Sequence, residues 1–196
     1  MGKGSDTRDR ILEQAVRLAS RDGLEGLTIG TLSSELGLSK SGLFAHFGSK
    51  DELQIQVLQA MVSRFEETVI RPALAAPRGE PRLRALFEKW IEWADDPGMP
   101  GGCPLMTASI EFDDRPGPQR ELLAVAQQGS FEFMTKAVRL AIEAGHFRAD
   151  LDPAQIAFEF DSLIHGYNYA SRLLRDPKAG ERVRTAFERL IASSRA

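Results

Sequence analysis

The chain has 196 residues, of which 42% are hydrophobic and 27% charged, the composition of an ordinary globular protein with one domain or two small ones. No stretch approaches the roughly 18–20 uninterrupted apolar residues of a membrane helix, and a net charge of −3 argues against a surface coated in positive potential. The single cysteine, Cys103, excludes an internal disulfide and fits a reducing compartment, so a cytoplasmic protein without a membrane partner is expected. The opening MGKGSDTRDR has neither the apolar run of a secretory signal nor, with Asp6 in sixth place, a myristoylation pattern.

In chain order, a first helix is expected from Thr7 to Ser20, with Ile11, Leu12, Ala15, Val16, Leu18 and Ala19 on a broad apolar face and Asp22-Gly23 as its stop. The arm before it, carrying Lys3 and Arg8, is expected to be mobile and is a candidate for contact with a phosphate or a minor groove. Thr28 is placed to cap a second helix with Ile29, Leu32 and Leu36 on one face, and Gly37 to end it in the left-handed region. Leu38 is expected to plug the corner. Ser39 then caps a third helix with Leu43, Phe44 and Phe47 inside and Lys40, Ser41, Gly42, Ala45 and His46 outside, and Gly48 closes it. Ser49 caps a fourth helix, whose first turn carries Asp51 and Glu52, where the helix dipole favours anions.

Two helices too short to stand alone, joined by a glycine-containing turn, have the shape of a helix-turn-helix, whose second helix enters the major groove. The small and polar outward residues of the third helix suit that position. The run SKSGLFAHFGSKDEL resembles the DNA-binding signature of the TetR (tetracycline repressor-like) family of bacterial transcriptional regulators, in the spacing of Gly37, Ser39, Leu43, Phe44, His46, Phe47, Lys50 and Leu53. The signature covers about the first quarter of the chain. The resemblance implies an all-α fold of about nine helices: a helix-turn-helix DNA-binding domain over residues 1–48, then an effector-binding and dimerisation domain over 49–196. One departure stands out. Phe44 occupies a position usually held by a tyrosine whose hydroxyl reaches a phosphate, and the missing donor costs ~1 kcal/mol of binding.

Bulk charge gives no support to DNA binding. Up to Gln54 there are seven basic residues against eight acidic ones, so any basic footprint must come from where the charges sit. Lys40 is the candidate for direct base readout, and Gly42, which costs about 1 kcal/mol in a helix against alanine, for close approach to the duplex. Lys50 at a helix N-terminus is the candidate phosphate clamp. Thr28, Thr31, Ser33, Ser39, Ser41, Phe44 and His46 complete the expected interface, His46 on the phosphate side or in packing rather than in base readout.

From Lys50 a long helix is expected to continue to about Leu74, shared by both domains, until Pro72 and AAPRGEP end it. Further helices are expected over Arg82–Ala94, Leu105–Phe112, Gln119–Ala144, Ala154–Arg175 and Lys178–Ser193, with Asp152 and Pro153 opening the fourth of these. Most of the aromatic residues in this part are expected to form core. The resemblance also implies a pocket there for a small effector, apolar or aromatic. Its candidates are Phe87, Trp90, Cys103, Met106, Thr107, Phe131, Met134, His165, Asn168 and Tyr169.

The last two helices carry apolar stripes, with Phe158, Leu163 and Leu174 on one and Val183, Phe187 and Leu190 on the other. Gly166 and Ala170 permit close approach, so a four-helix dimer interface and a pseudo-palindromic operator are expected. The expected protein is a homodimeric, ligand-responsive repressor of double-stranded operator DNA, with no metal, no cofactor and no catalysis. The alternatives are an activator, a redox-sensing regulator working through the Cys103 thiol at a helix start, or, in another class, a helical enzyme using Cys103 and His165.

Overall fold

A computed structural model describes the backbone over residues 3–196 and side chains from Thr7 onward. Among the described residues there are nine helices, and the β structure is a single isolated bridge between Phe147 and Arg195. In chain order α1 is Lys3–Asp22, α2 Ile29–Leu36, α3 Lys40–Phe47, and α4 spans 50–74. Then come α5 (Glu80–Ala94), α6 (Pro104–Phe112), α7 (Pro118–Glu143), α8 over 153–173, and α9 (Ala179–Ser194). The expected mobile arm is instead the first turns of α1, and Arg8 donates to Gln56 Oε1 at 2.6 Å rather than standing free for DNA. The side chain of Lys3 lies outside the described residues.

Helix α4 ends at Leu74, where it was expected to end, two residues past Pro72. The α-helical stretch Lys50–Phe65 widens into a π turn over Glu66–Ile70, and Arg71–Leu74 then resumes the helix with the proline in its first turn. The Arg71 N–H reaches back to the Glu66 carbonyl, five residues away. That wider turn gives the ring room at the point where it would clash with a carbonyl and where its missing N–H leaves one unpaired.

The chain divides into two compact units: residues up to 64 with 96–126, and 65–95 with 127–196. The chain passes between them inside α4 and inside α7. Packing divides the chain between residues 64 and 65, 95 and 96, and 126 and 127.

In the first unit α1 packs on α2 and on α6, and α2 on α3. Ile11, Ala15, Leu24, Leu27, Leu32, Leu43, Phe47, Leu53, Val57 and Leu58 are buried. The second unit is built on an aromatic cluster. Phe87 and Phe187 stack at 3.9 Å with planes 2° apart, Phe160 meets both edge-on, and Phe65 lies edge-on to Trp90 and Trp93. Such pairs contribute about 0.5–1.5 kcal/mol each beyond their burial. Polar contacts close the end of this unit. The Tyr167 hydroxyl donates to Asp95, and Arg172 Nη2 to the Ala94 carbonyl. Burial first, then the Asp95 carboxylate, pushes the phenol up to about 12.

Candidate nucleic-acid interface

The turn between α2 and α3 is set by local chemistry. Thr28 and Thr31 form a reciprocal capping box: the Thr28 hydroxyl accepts from the Thr31 N–H at 3.0 Å, and the Thr31 hydroxyl from the Thr28 N–H at 2.9 Å. Gly37 ends α2 in the left-handed region at φ 63°, where a side chain would be strained. Ser39 caps α3 by accepting from the Gly42 N–H at 3.1 Å. Each cap contributes about 1 kcal/mol to helices of only two turns.

Leu43 and Phe47, four residues apart, are buried and fasten α3 to the unit. Its outer face is exposed along Lys40, Ser41, Gly42, Phe44, Ala45 and His46. Two inward expectations fail here. Phe44 is 57% exposed and Leu38 44%. Leu43 and Phe47 are held inside, and the ring of Phe44, about 100° round the helix from Leu43, lies on the outer face. Leu38 follows the left-handed glycine and leads outward instead of filling the corner.

At Gly42 an added Cβ would meet only the Ser39 hydroxyl, at 3.0 Å. No other described residue lies near such a Cβ, and that fits a surface kept bare for something outside the chain. The hydroxyls of Thr28, Thr31 and Ser39 serve the caps, and Ser41 Oγ lies 3.3 Å from Ser39 Oγ. Ser33 is buried and donates to the Gly30 carbonyl, so it is not available to a phosphate. Lys50 Nζ sits 3.0 Å from Glu25 Oε1, and Arg115 3.4 Å from the other oxygen of that carboxylate. Lys50 first, then Arg115, holds the Glu25 carboxyl below the usual range. An exposed pair of this kind is worth about 0–1 kcal/mol, little enough for a phosphate to displace Glu25.

The ten residues nominated for an effector do not share one unit. Cys103, Met106 and Thr107 belong to the first, and Phe87, Trp90, Phe131, Met134, His165, Asn168 and Tyr169 to the second. His165 and Tyr169 are exposed, and His165 Nε2 is 3.6 Å from Asp161, so neither lies in the interior where a pocket was expected. Phe87 is buried in the aromatic stack. Trp90 Nε1 and Asn168 Oδ1 are buried and have no hydrogen-bond partner among the described residues. Cys103 is only 6% exposed, at the position before α6.

Among the residues nominated for a dimer face, Phe158, Gly166 and Leu174 are exposed, while Leu163 and Ala170 are partly covered. Val183, Phe187 and Leu190 are not on a face at all. They are buried in their own unit, Phe187 against Phe87. The outer side of α9 is polar instead, with Glu181, Arg184, Thr185, Glu188 and Arg189.

Sequence reasoning passed over a set of polar side chains behind the reading helices: Ser20, Gln54, Glu111 and Gln119. Gln54 carried a usable signal, because it occupies a core position in the stripe completed by Val57, Leu58 and Met61.

A family model for bacterial regulatory proteins of the tetR family matches residues 11–57, and one for the tetracyclin repressor-like C-terminal domain matches 79–187. The HTH-type transcriptional repressor AcnR of Corynebacterium efficiens is 36% identical over 67 residues, 34% of this chain and 36% of that protein. The matched stretch therefore spans about a third of that relative's length. A TetR transcriptional regulator from Chloroflexus aurantiacus superposes with a TM-score of 0.86 at 24% identity, over 98% of this chain and 96% of that one. A transcriptional regulator from Saccharomonospora viridis in complex with choline superposes at 0.77 and 24% identity, over 94% and 95%. With family models for the N-terminal and the C-terminal domain matched over 11–57 and 79–187, the chain belongs to the TetR family of bacterial regulators.

Proposed function

We propose that this protein is a ligand-responsive transcriptional repressor that binds a pseudo-palindromic operator as a homodimer and leaves it when a small molecule occupies the second unit. The observation that carries the reading is α3, a two-turn helix pinned from behind by Leu43 and Phe47 with its front left small, polar or bare at Lys40, Ser41 and Gly42. Lys40 is assigned to guanine acceptors, and Phe44, His46 and Lys50 to the phosphate side. No helix among the described residues is long and apolar enough to cross a membrane, which fits a cytoplasmic site of action.

An effector in the second unit is supported by Trp90 and Asn168. A buried indole N–H and a buried amide oxygen without partners among the described residues are costly, and a ligand offering an acceptor to the one or a donor to the other would relieve that cost. The curated relative is named as a repressor, and one structural relative holds choline. A dimer is supported by the exposed Phe158, Tyr169, Leu173 and Leu174 on or just beyond α8. These four replace the α9 stripe as the apolar part of the interface. Helix α4, unbroken from 50 to 74, is the element through which a change of packing in one unit would be felt in the other. The reading gives no catalytic role to Cys103, whose thiol is buried, or to His165, which pairs with Asp161.

The test is retardation of the protein's own upstream DNA at low ionic strength, with Lys40→Ala as the control. The expected result is a retarded fragment for the parent and a sequence-dependent loss of about 1–3 kcal/mol for the variant. No retardation, or none that depends on Lys40, refutes the assignment. A thermal-shift screen of small molecules on Trp90→Phe beside the parent tests the effector reading, because a ligand that binds only the folded state raises its stability.

A further inference from the structure

The loop between α1 and α2 is held on every side by polar groups from elsewhere in its own unit. Glu111 on α6 accepts through Oε2 from the Leu24 N–H at 2.8 Å and the Glu25 N–H at 3.4 Å. Gly23 makes room for it. Its φ is +79°, and a Cβ there would lie 1.9 Å from Glu111 Oε1. On the other side of the loop Gln54 of α4 donates to the Leu24 carbonyl at 2.8 Å, and Gln119 of α7 donates in turn to Gln54 Oε1 and Asp51 Oδ1, both at 3.1 Å.

The end of α1 is fastened in the same manner. Ser20 Oγ donates to the Gly102 carbonyl at 2.9 Å and accepts from the Gly101 N–H at 3.0 Å, and Gly101 packs so closely that a Cβ would fall 1.6 Å from the Ser20 carbonyl oxygen. Ser20, Gln54 and Gln119 are all buried, and all have partners. A satisfied buried network admits one arrangement and resists others, unlike apolar packing, which tolerates sliding. The segment 96–126 thus grips the entrance to α2 through directional bonds.

We propose that Glu111 is a positioning residue of the reading head: its carboxylate fixes the 23–26 loop, and with it the angle at which α2 and α3 are presented, so that a rearrangement of segment 96–126 reaches DNA through this latch. The proposal rests on the reading of α3 as the DNA-contacting helix. Glu111 touches no DNA in this scheme. It acts through the Leu24 and Glu25 amides, which precede the Thr28 cap by one turn of chain.

The experiment uses the full chain and a duplex selected from a random pool by the parent protein, at a temperature where circular dichroism shows every variant fully folded. Glu111→Ala should weaken binding about tenfold, since the Leu24 and Glu25 amides lose their charged acceptor. It should also flatten the preference for the selected half-site spacing over spacings one base pair longer or shorter. Glu111→Gln keeps an acceptor oxygen for the same amides and should stay within about twofold of the parent. Amide exchange is the second readout: Glu111→Ala should speed exchange in peptides covering both 22–27 and 40–48. An unchanged spacing preference in Glu111→Ala overturns the proposal, as does faster exchange confined to 22–27. If the pool yields no duplex, the DNA reading fails, and exchange over 40–48 still decides whether the latch positions α3. Should Glu111→Ala not fold, Glu111→Asp, one methylene short of the amides, carries the same comparison.

Discussion

Phe187 separates two accounts of α9. As part of an apolar stripe at helical spacing it would be a dimer contact; in the structure it is core. Its ring is 2% exposed, stacked on Phe87 at 3.9 Å, edge-on to Phe160 at 5.7 Å, with the Arg84 guanidinium carbon 6.0 Å from its centre. Truncating a buried phenylalanine costs about 3–5 kcal/mol, and the two ring contacts place this one in the upper half of that range. We therefore expect Phe187→Ala to lose about 4–5 kcal/mol of unfolding free energy. For a chain of this length each kcal/mol moves Tm by about 2–4 °C, so Tm should fall by roughly 10–15 °C. Thermal unfolding at two protein concentrations about thirtyfold apart, with sedimentation velocity beside it, checks this. A core residue lowers Tm by the same amount at both concentrations, whereas an interface residue acts through association and its effect grows on dilution. A Tm within about 3 °C of the parent, coupled with dissociation to monomer, would refute the placement.

Four other substitutions follow from the same geometry. Phe158, 59% exposed on α8, should be an interface anchor: Phe158→Glu should weaken self-association at least about tenfold in sedimentation equilibrium and leave the helical content intact. Phe44→Tyr restores a phenolic donor on the exposed face of α3 and should tighten operator binding about fivefold, by ~1 kcal/mol, equally across operator sequences and with an unchanged salt slope, because no charge is added. Lys50→Ala should weaken binding uniformly across sequences and reduce the salt slope by about one unit; a sequence-dependent loss in anisotropy titrations would contradict the phosphate role. Glu80 supplies a pH test. Arg195 first, then Arg84, holds its carboxyl at about 2 against an ordinary 4.5. A depressed carboxyl stabilises the fold fully above 4.5 and loses that contribution as pH falls toward about 2. The Tm gap between the parent and Glu80→Gln should therefore be widest near neutrality and close below pH 4.5, and a gap that widened in acid would reverse the sign of the argument.

The parts of this molecule that were legible in its sequence are those decided within a few residues of themselves. Thr28, Gly37, Ser39, Gly48 and the Asp152-Pro153 pair act on backbone groups one turn away, so each helix end they mark falls within a residue or two of its expected place. The failures share a different cause. Periodicity says that a helix has an apolar face, not whose interior that face enters, and so Val183, Phe187 and Leu190 are equally good in sequence as interface or as core; in the structure all three are buried in their own unit, with Phe187 stacked on Phe87. In α3, periodicity allows Leu43, Phe44 and Phe47 to share one broad face, yet packing buries Leu43 and Phe47 and leaves Phe44 outside. The latch is the extreme case. Glu111 lies 87 residues from Leu24, and Gln119 lies 65 from Gln54, so no local window contains either bond. What a sequence can still register is the anomaly such a bond leaves behind, a glutamine where the stripe of α4 asks for leucine. Each such buried polar position needs a partner from a distant segment, because without one it would cost more than an apolar replacement.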